Sequence, residues 1–435
     1  MSPTRRLLAF LCLLTLLIGG CSKGGNSSGN NGNIRVFNAF FEAPALNFVV
    51  ASTPLATALP FEGNRPYQSV SNGTQTATVT VTGAATPLIN GNIGINGDAN
   101  YSYIAYGPLT APASAFLLDS FSDPGTGFFS VRVVNTAAGI GPIDVYLTPP
   151  GADLTVAAPT VGSVAYGAAT AFTSVNTGTS FEIRITPTGT KKVIYDSVPK
   201  PFFLEHSGTT ILVYSKGSGT LVAAALLASD TAGTTTVVDN TLAQYKVINA
   251  SLVNSPLNVF VDGALQLSNI PYLGVSNYQQ TASGAHTFTI EAQSTPGAAL
   301  LTLNPNLSSA TDTSMALVGP AGGLNAVVLL DDNQPPATGS AGVRFINTSA
   351  ALPSVDVFVN FSKQVSSLAQ NTASGYVNLT AAAISGTAYE FDFNIAGTTS
   401  AVLKLPNNLL LPGHKYSVYL AGPTATLQGI VTQDN

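Results

Sequence analysis

The stretch VRVVNTAAGIGPIDVYLTPPG, Val131 to Gly151, decides the fold, because nearly the same phrase, VRFINTSAALPSVDVFVN, returns at Val343 to Asn360. Two looser copies, IRVFNAFFEAPALNFVV from Ile34 and YKVINASLVNSPLNVFVDG from Tyr245, make four. Aligned on Asn38, Asn135, Asn249 and Asn347, the copies stand 97, 114 and 98 residues apart. Periods of about 20–50 residues signal solenoids or propeller blades, whereas about 100 residues filled with short strands make a self-contained β-sandwich. Nine residues after each asparagine comes Asn47, Asp144, Asn258 or Asp356, with Pro44, Pro142, Pro256 or Pro353 just before it. The reading is all-β, with four tandem β-sandwich repeats at 34–127, 128–240, 241–338 and 339–435.

Side-chain parity assigns the buried face. Leu46/Phe48/Val50, Ile143/Val145/Leu147, Leu257/Val259/Val261 and Val355/Val357/Val359 alternate with the acid or amide, so Asn47, Asp144, Asn258 and Asp356 face away from the core. A later alternating run follows in each copy: TATVTVTG from Thr76, FEIRITPTG from Phe181, HTFTIEA from His286 and YEFDFNIAG from Tyr389. Each copy then closes with an apolar strand, a glycine-containing turn and a last strand, as in YSVYLAGPTATLQGIVTQDN at the C-terminus. Gly-Pro pairs at 107–108, 319–320 and 422–423 supply the turns.

Charged residues are 9% of the chain, against about 25% in ordinary soluble domains. With a net charge of −5, no basic face is expected for nucleic acid. The only cysteines are Cys12 and Cys21. Arg5 and Arg6 precede one apolar run, Leu7 to Ile18, too short to span a bilayer and typical of an export signal over 1–20. Ile18 to Cys21, IGGC, resembles the lipobox of bacterial lipoproteins, which implies cleavage before Cys21 and lipidation of its thiol. Residues 21–33 then form the lipidated cysteine and a Gly/Ser/Asn-rich linker. Ser22 resembles the sorting pattern for the outer membrane, so the expected location is the bacterial cell envelope, with the membrane engaged through the N-terminal lipid.

The phrase V-R-x-x-N followed by P-x-x-D-V-F/Y-V and a later alternating strand resembles the repeated domain of the domain-of-unknown-function 4397 family of exported bacterial proteins. The resemblance covers Ile34 to the C-terminus and is best in copies two and four, since copies one and three carry Asn47 and Asn258 in place of the aspartate. It implies four tandem immunoglobulin-like β-sandwich domains and no particular activity.

The most regular polar feature is a basic residue three before each asparagine: Arg35, Arg132, Lys246 and Arg344. These residues pair across strands with an acceptor such as Asp144 or Asp356 and guard a strand edge; the sharper alternative is a binding row of cations for an acidic polymer. The asparagines complete a turn after the first strand. His206, His286 and His414 fall in different copies, so neither a metal site nor a cofactor is expected. The acids of FSDPGTG (121–127) and LLDDN (329–333) read as turn chemistry rather than a calcium site, and GNIGINGD (91–98) as an Asn-Gly hairpin. Aromatic stretches NYSYIAY (100–106) and IPYLGVSNY (270–278) read as packing, with a sugar platform as the alternative. No G-x-S-x-G elbow followed by ordered acid and histidine partners appears. The expected function is therefore not enzymatic: a cell-envelope lipoprotein acting as a structural, adhesive or binding stalk towards an envelope polymer, glycan or protein. The alternatives are an array of carbohydrate-binding modules or a hydrolase with a site between domains.

Overall fold

In every unit the strand carrying the cation and asparagine occupies the interior of a sheet. These first strands are Gly32–Ala39, Phe128–Asn135, Leu242–Asn249 and Ser340–Ser349. Each pairs in parallel with a later strand of its unit, Asn100–Tyr106, Gly208–Ser215, Asp312–Val318 or Lys415–Gly422. That strand then turns back into an antiparallel partner, Ala113–Leu118, Val222–Ala228, Asn325–Asp331 or Gln428–Gln433, which is the last strand in every unit but the second. Gly107, Gly319 and Gly422 start three of these turns at φ of 100°, 93° and 97°, a conformation that a Cβ would oppose, and the proline after each stops the ladder. This computed structural model describes residues 30–435 apart from 254 and 383. The expected export signal, Cys21 and most of the expected linker lie outside the described residues.

A parallel pair needs a long crossover, and here the crossover is the second sheet. It is built on the second strands Ala45–Val50, Ile143–Thr148, Leu257–Val261 and Ser354–Val359. Each is paired with the later alternating strand, Gly73–Val81, Glu182–Pro187, Phe288–Ala292 or Thr387–Ile395. The fold is all-β, as tandem two-sheet sandwiches. Unit two carries an additional strand, Thr235–Asn240, that pairs with both Val222–Ala228 and Tyr195–Val198 and joins its two sheets into one of nine strands. The expected hairpin at Asn96-Gly97 is not formed. Ile89–Ile95 and Asn100–Tyr106 belong to different sheets, and the link between them is held to the first strand's approach by the Asp98 N–H donating to Asn31 O (3.0 Å).

The apolar positions of the four second strands lie in four separate cores. Their alternate polar residues point away from those cores and do a common job. Asn47, Asp144, Asn258 and Asp356 accept the backbone N–H of Ala58, Ser163, Asn269 and Ser367 at 2.8, 2.8, 2.9 and 2.8 Å. All four donors have positive φ, between 48° and 58°. Each sits where the neighbouring strand slips register, opposite the Leu46/Phe48 step and its equivalents. The repeated acid or amide is thus the clamp of a β-bulge, satisfying the amide that the bulge removes from the ladder. Asp144 also accepts from the Gly189 N–H (3.0 Å). At Asp356, hydrogen bonds from Lys363, Ser367 and Gly397 hold the carboxyl down at about 2.

Two further apolar clusters lie between units. Phe37, Ile104 and Tyr106 of unit one meet Val134, Leu212, Tyr214 and Ala225 of unit two; Ile248, Ala316 and Val318 of unit three meet Ile346, Tyr419 and Ala421 of unit four. The first-strand sheets therefore pack face to face, one with two and three with four. The pairs also touch. Gln280 Nε2 donates to Ile194 O (2.8 Å) between units three and two, and Thr338 Oγ1 donates to Thr82 O (2.8 Å) from the segment leading into unit four back to unit one. The four units form a closed arrangement rather than an open string.

Two neighbouring residues separate the two roles of the second strand. Val145→Asp places a carboxylate in a core position that is 0% exposed and forfeits about 1.5–3 kcal/mol of apolar burial besides. Asp144→Ala removes the acceptor of the Ser163 and Gly189 amides, which lie on exposed residues, and costs about 0.5–1.5 kcal/mol for each bond. Both lower the urea midpoint of the full chain; an unchanged midpoint for Asp144→Ala would remove the carboxylate from the bulge.

Candidate functional site

The basic row is inside the molecule. Arg35, Arg132, Lys246 and Arg344 are 1%, 6%, 2% and 4% exposed, and they gather as two pairs at the two faces where units meet. Neither expected role applies: the strands that carry them are interior, so there is no edge to guard, and Asp144 and Asp356 are committed to their bulges. Each cation reaches instead to the end of a strand of the other unit in its pair. Arg35 donates to Ala228 O (2.6 Å), Arg132 to Leu118 O (2.7 Å), Lys246 to Gln433 O (3.0 Å) and Arg344 to Leu330 O (2.9 Å). The four carbonyls occupy equivalent register positions, so the exchange is reciprocal, as at a two-fold axis.

One residue further on stands the counter-charge. Asp119, Asp331 and Asp434 close units one, three and four, and all three carboxylates are fully buried. Arg132 bonds Asp119 and Arg344 bonds Asp331 in short, charge-assisted contacts, and Lys246 reaches Asp434 at 2.8 Å. The register also places a hydroxyl beside each cation, and Arg35 Nε, Arg132 Nε and Arg344 Nε donate to Ser102, Thr210 and Ser417 at 2.7, 2.7 and 2.6 Å. Ser102, Ser314 and Ser417 pass a hydrogen bond on to the acid of their own unit (2.7, 2.8 and 2.6 Å). An aromatic ring covers each cation at 4.8–5.1 Å: Tyr67, Phe172, Tyr278 and Tyr376. The three tyrosines donate to Asp119, Asp331 and Asp434 at 2.7, 2.5 and 2.7 Å.

Unit two is the exception. Ser229 stands where the acid would be, and Phe172 stands where the tyrosine would be. Unit two thus lacks both the acid and the tyrosine hydroxyl that would bond it. The pair of units one and two therefore sets two arginines against Asp119, and Arg35 bonds the acid of its own unit at 3.1 Å. Burial and the neighbouring Arg35 lower the Arg132 pKa against the pull of Asp119. In the pair of units three and four, burial again opposes the charge, but Asp434 and Asp331 outweigh it and hold Arg344 above its ordinary range.

That second junction also holds Asp312, fully buried and opposite Asp331 in the ladder. It accepts the Ser218 N–H (3.1 Å) from the turn joining Gly208–Ser215 to Val222–Ala228 of unit two, and Ser218 Oγ donates to Asp434 O (3.1 Å). Gly217 permits this approach, since a Cβ there would stand 2.6 Å from Asp312 Oδ2. Burial, with Asp331 adding to it, pushes the Asp312 carboxyl up to about 7, against the opposing effects of Ser218, Asn333 and Lys246.

The remaining marked residues serve structure. Asn38, Asn135, Asn249 and Asn347 are fully buried. Each closes a turn by accepting the N–H two residues on, from Phe40, Ala137, Ser251 and Ser349 at 2.9–3.2 Å. Each also donates to an opposing strand or loop, at Leu59, Val164, Ile270 and Leu352 O (3.0 Å). His206 and His286 each face one carboxylate, Asp123 and Asp262, at 2.7 Å; His414 is 3.6 Å from Glu42. Asp331 and Asp332, the calcium alternative, are bonded to Arg344 and Lys415. Among the described residues no three His, Cys, Asp or Glu side chains group as metal ligands. Of the aromatic stretches, Tyr101, Tyr103 and Tyr106 are buried, and Tyr278 lies over Lys246.

Asp119→Asn leaves two buried guanidinium groups without their carboxylate and costs about 3–5 kcal/mol; in urea, units one and two should lose protection from proteolysis together, and loss confined to unit one would contradict the shared bolt. Asp312 responds to pH with a definite sign. Its folded pKa lies above the ordinary ~3.9, so folding takes up a proton, and the contribution of this one group to stability is greatest below pH 4, falls as pH rises to about 7 and is level above. Asp312→Asn should remove that decline and exceed the parent in stability at pH 8, read from denaturation midpoints across the range; a parent contribution independent of position 312 would overturn it.

The profile of a domain of unknown function, DUF4397, matches residues 32–146, 243–358 and 341–435. No curated protein matches the chain. Among solved structures, a family 26 carbohydrate-binding module of Eubacterium rectale Amy13K, crystallised with maltoheptaose, is 13% identical with a TM-score of 0.16 and covers 47% of this chain and 95% of its own. The Bacillus anthracis TIE protein is 7% identical with a TM-score of 0.15, over 86% of this chain and 66% of its own. At those scores neither bears on the ligand. The repeated profile match spans most of the chain and begins at the first strands of units one, three and four, and the chain belongs to the DUF4397 family.

Proposed function

We propose that this chain is a non-catalytic lipoprotein of the bacterial cell envelope, carried on an acylated Cys21 and holding a closed body of four β units at the outer membrane as a structural or binding element. The observation that carries this reading is the inward direction of the repeated chemistry. The cation, acid, hydroxyl and aromatic that recur from unit to unit are spent on joining units, and the recurring acid or amide of the second strand on a bulge. Selection for a repeated surface site would leave such groups facing solvent. Repetition here serves assembly, and what the body offers outward is a surface poor in charge and rich in Thr, Ser and Asn.

A surface of that kind suits a neutral glycan or a protein better than an acidic polymer, whose recognition would need the four buried cations. Replacing Cys21 with Ser in the full chain should abolish fatty-acid labelling and leave unprocessed precursor; labelling that persists would overturn the lipoprotein reading. Titration of the protein with neutral and acidic envelope polysaccharides should show any binding to be insensitive to salt. Salt-sensitive capture of an acidic polymer would contradict the assignment of the cations to the junctions.

A further inference from the structure

We propose that the face bearing Phe121, Phe202 and Leu204 is the membrane-facing surface of the body and inserts apolar side chains into the lipid bilayer. The inference rests on the reading that Cys21 is lipidated. Eight residues separate Cys21 from Asn30, a distance that a chain covers in at most about 30 Å. The body therefore meets the bilayer near the point where Asn30 enters it, and the surface there should be suited to lipid.

Asn30 is fixed to that surface, its side chain donating to Asp98 Oδ2 (2.6 Å). Asp98 lines a surface cleft whose far wall is Leu118 to Phe121. Phe121 is shared with an adjoining cavity of about 340 Å³, walled by Phe202, Phe203, Leu204 and His206. Leu118, Phe202 and Leu204 are 46%, 58% and 65% exposed. Phe128, also partly exposed, receives the His206 N–H at its carbonyl (2.9 Å), which continues the patch. Large apolar side chains left in water over such an area mark an interaction surface, and this one is continuous with the exit of the anchored chain.

The rim defines the kind of lipid contact. Asp98, Asp123, Glu205 and Asp230 surround the patch or lie in its loops, whereas Lys200 is already bonded to Glu182 and Asp196, and His206 to Asp123. Among the described residues of this face no free cation offers attraction to anionic headgroups, so the contact of the face is apolar insertion, as at the face of an interfacial helix. It should be at least as strong on zwitterionic as on anionic vesicles.

The chain contains no tryptophan, so Phe202→Trp and Leu204→Trp each introduce a single reporter at an exposed position. Phe361→Trp, at an exposed hairpin tip of unit four, serves as the control. The full lipidated chain is bound to phosphatidylcholine vesicles with brominated acyl chains, and mass spectrometry confirms the lipid on Cys21. The expected result is a blue shift and quenching at positions 202 and 204 in excess of position 361. Lipidated, vesicle-bound protein without that excess overturns the inference and leaves the anchor standing. Absence of lipid on Cys21 overturns the anchor itself and the inference with it. Unquenched protein whose self-association in sedimentation is abolished by Phe202→Asp would assign the face to a second copy instead.

Discussion

The cation at the centre of each first strand is the constraint on which the rest of the arrangement depends. A guanidinium or ammonium removed from water is costly unless charge and hydrogen bonds replace its hydration, and no single unit supplies all of them. Arg132 finds its hydroxyl in its own unit, at Thr210, but its carbonyl and carboxylate in unit one. Arg344 is completed by unit three in the same way. The unit is thus a half-site, and two units facing each other form a whole one. Apolar contacts such as Phe37 against Tyr214 provide the attraction between the sheets. The buried charges penalise every register in which a cation misses its carbonyl and acid.

The two pairs are built alike and charged differently. Replacement of acid and tyrosine by Ser229 and Phe172 leaves the first junction with an excess of cation. Asp312 beside Asp331 and Asp434 gives the second an excess of acid. The turn at Gly217 and Ser218 carries unit two onto that acidic junction, where its backbone amide meets the Asp312 carboxylate. The departures from the repeat lie at the junctions themselves, and Asp312 alone among them also joins one pair to the other, through Ser218.

Much of the architecture was legible because strand parity is a local property. Alternate apolar residues in PIDVYL and SVDVFV can face only one way once one face is a core, so the four cores and the outward direction of Asp144 and Asp356 follow from spacing. The asparagine's turn was legible for the same reason, since its bond to the N–H two residues on closes within the phrase. The bulge clamp was half legible: the acid was visible, but its amide partner lies on a strand whose slip in register has no local signature. Runs such as YSYIAY, TTILVYS and LVAAALLA held a further signal, because a strand apolar at every position is one covered on both faces.

By itself the sequence determined the repeat, the strand parity and the residues that each unit must bury. Only the tertiary structure decided what the repeated cation is for. Asp119 lies 84 residues beyond Arg35 in the same unit and 13 residues before Arg132 in the next, and nothing in either spacing says that one carboxylate serves both. A charge appears solvated in a list of residues because its partner is chosen by the packing of whole sheets. Burial of one sheet face against another turned a row of apparent surface cations into the inner joints of the protein.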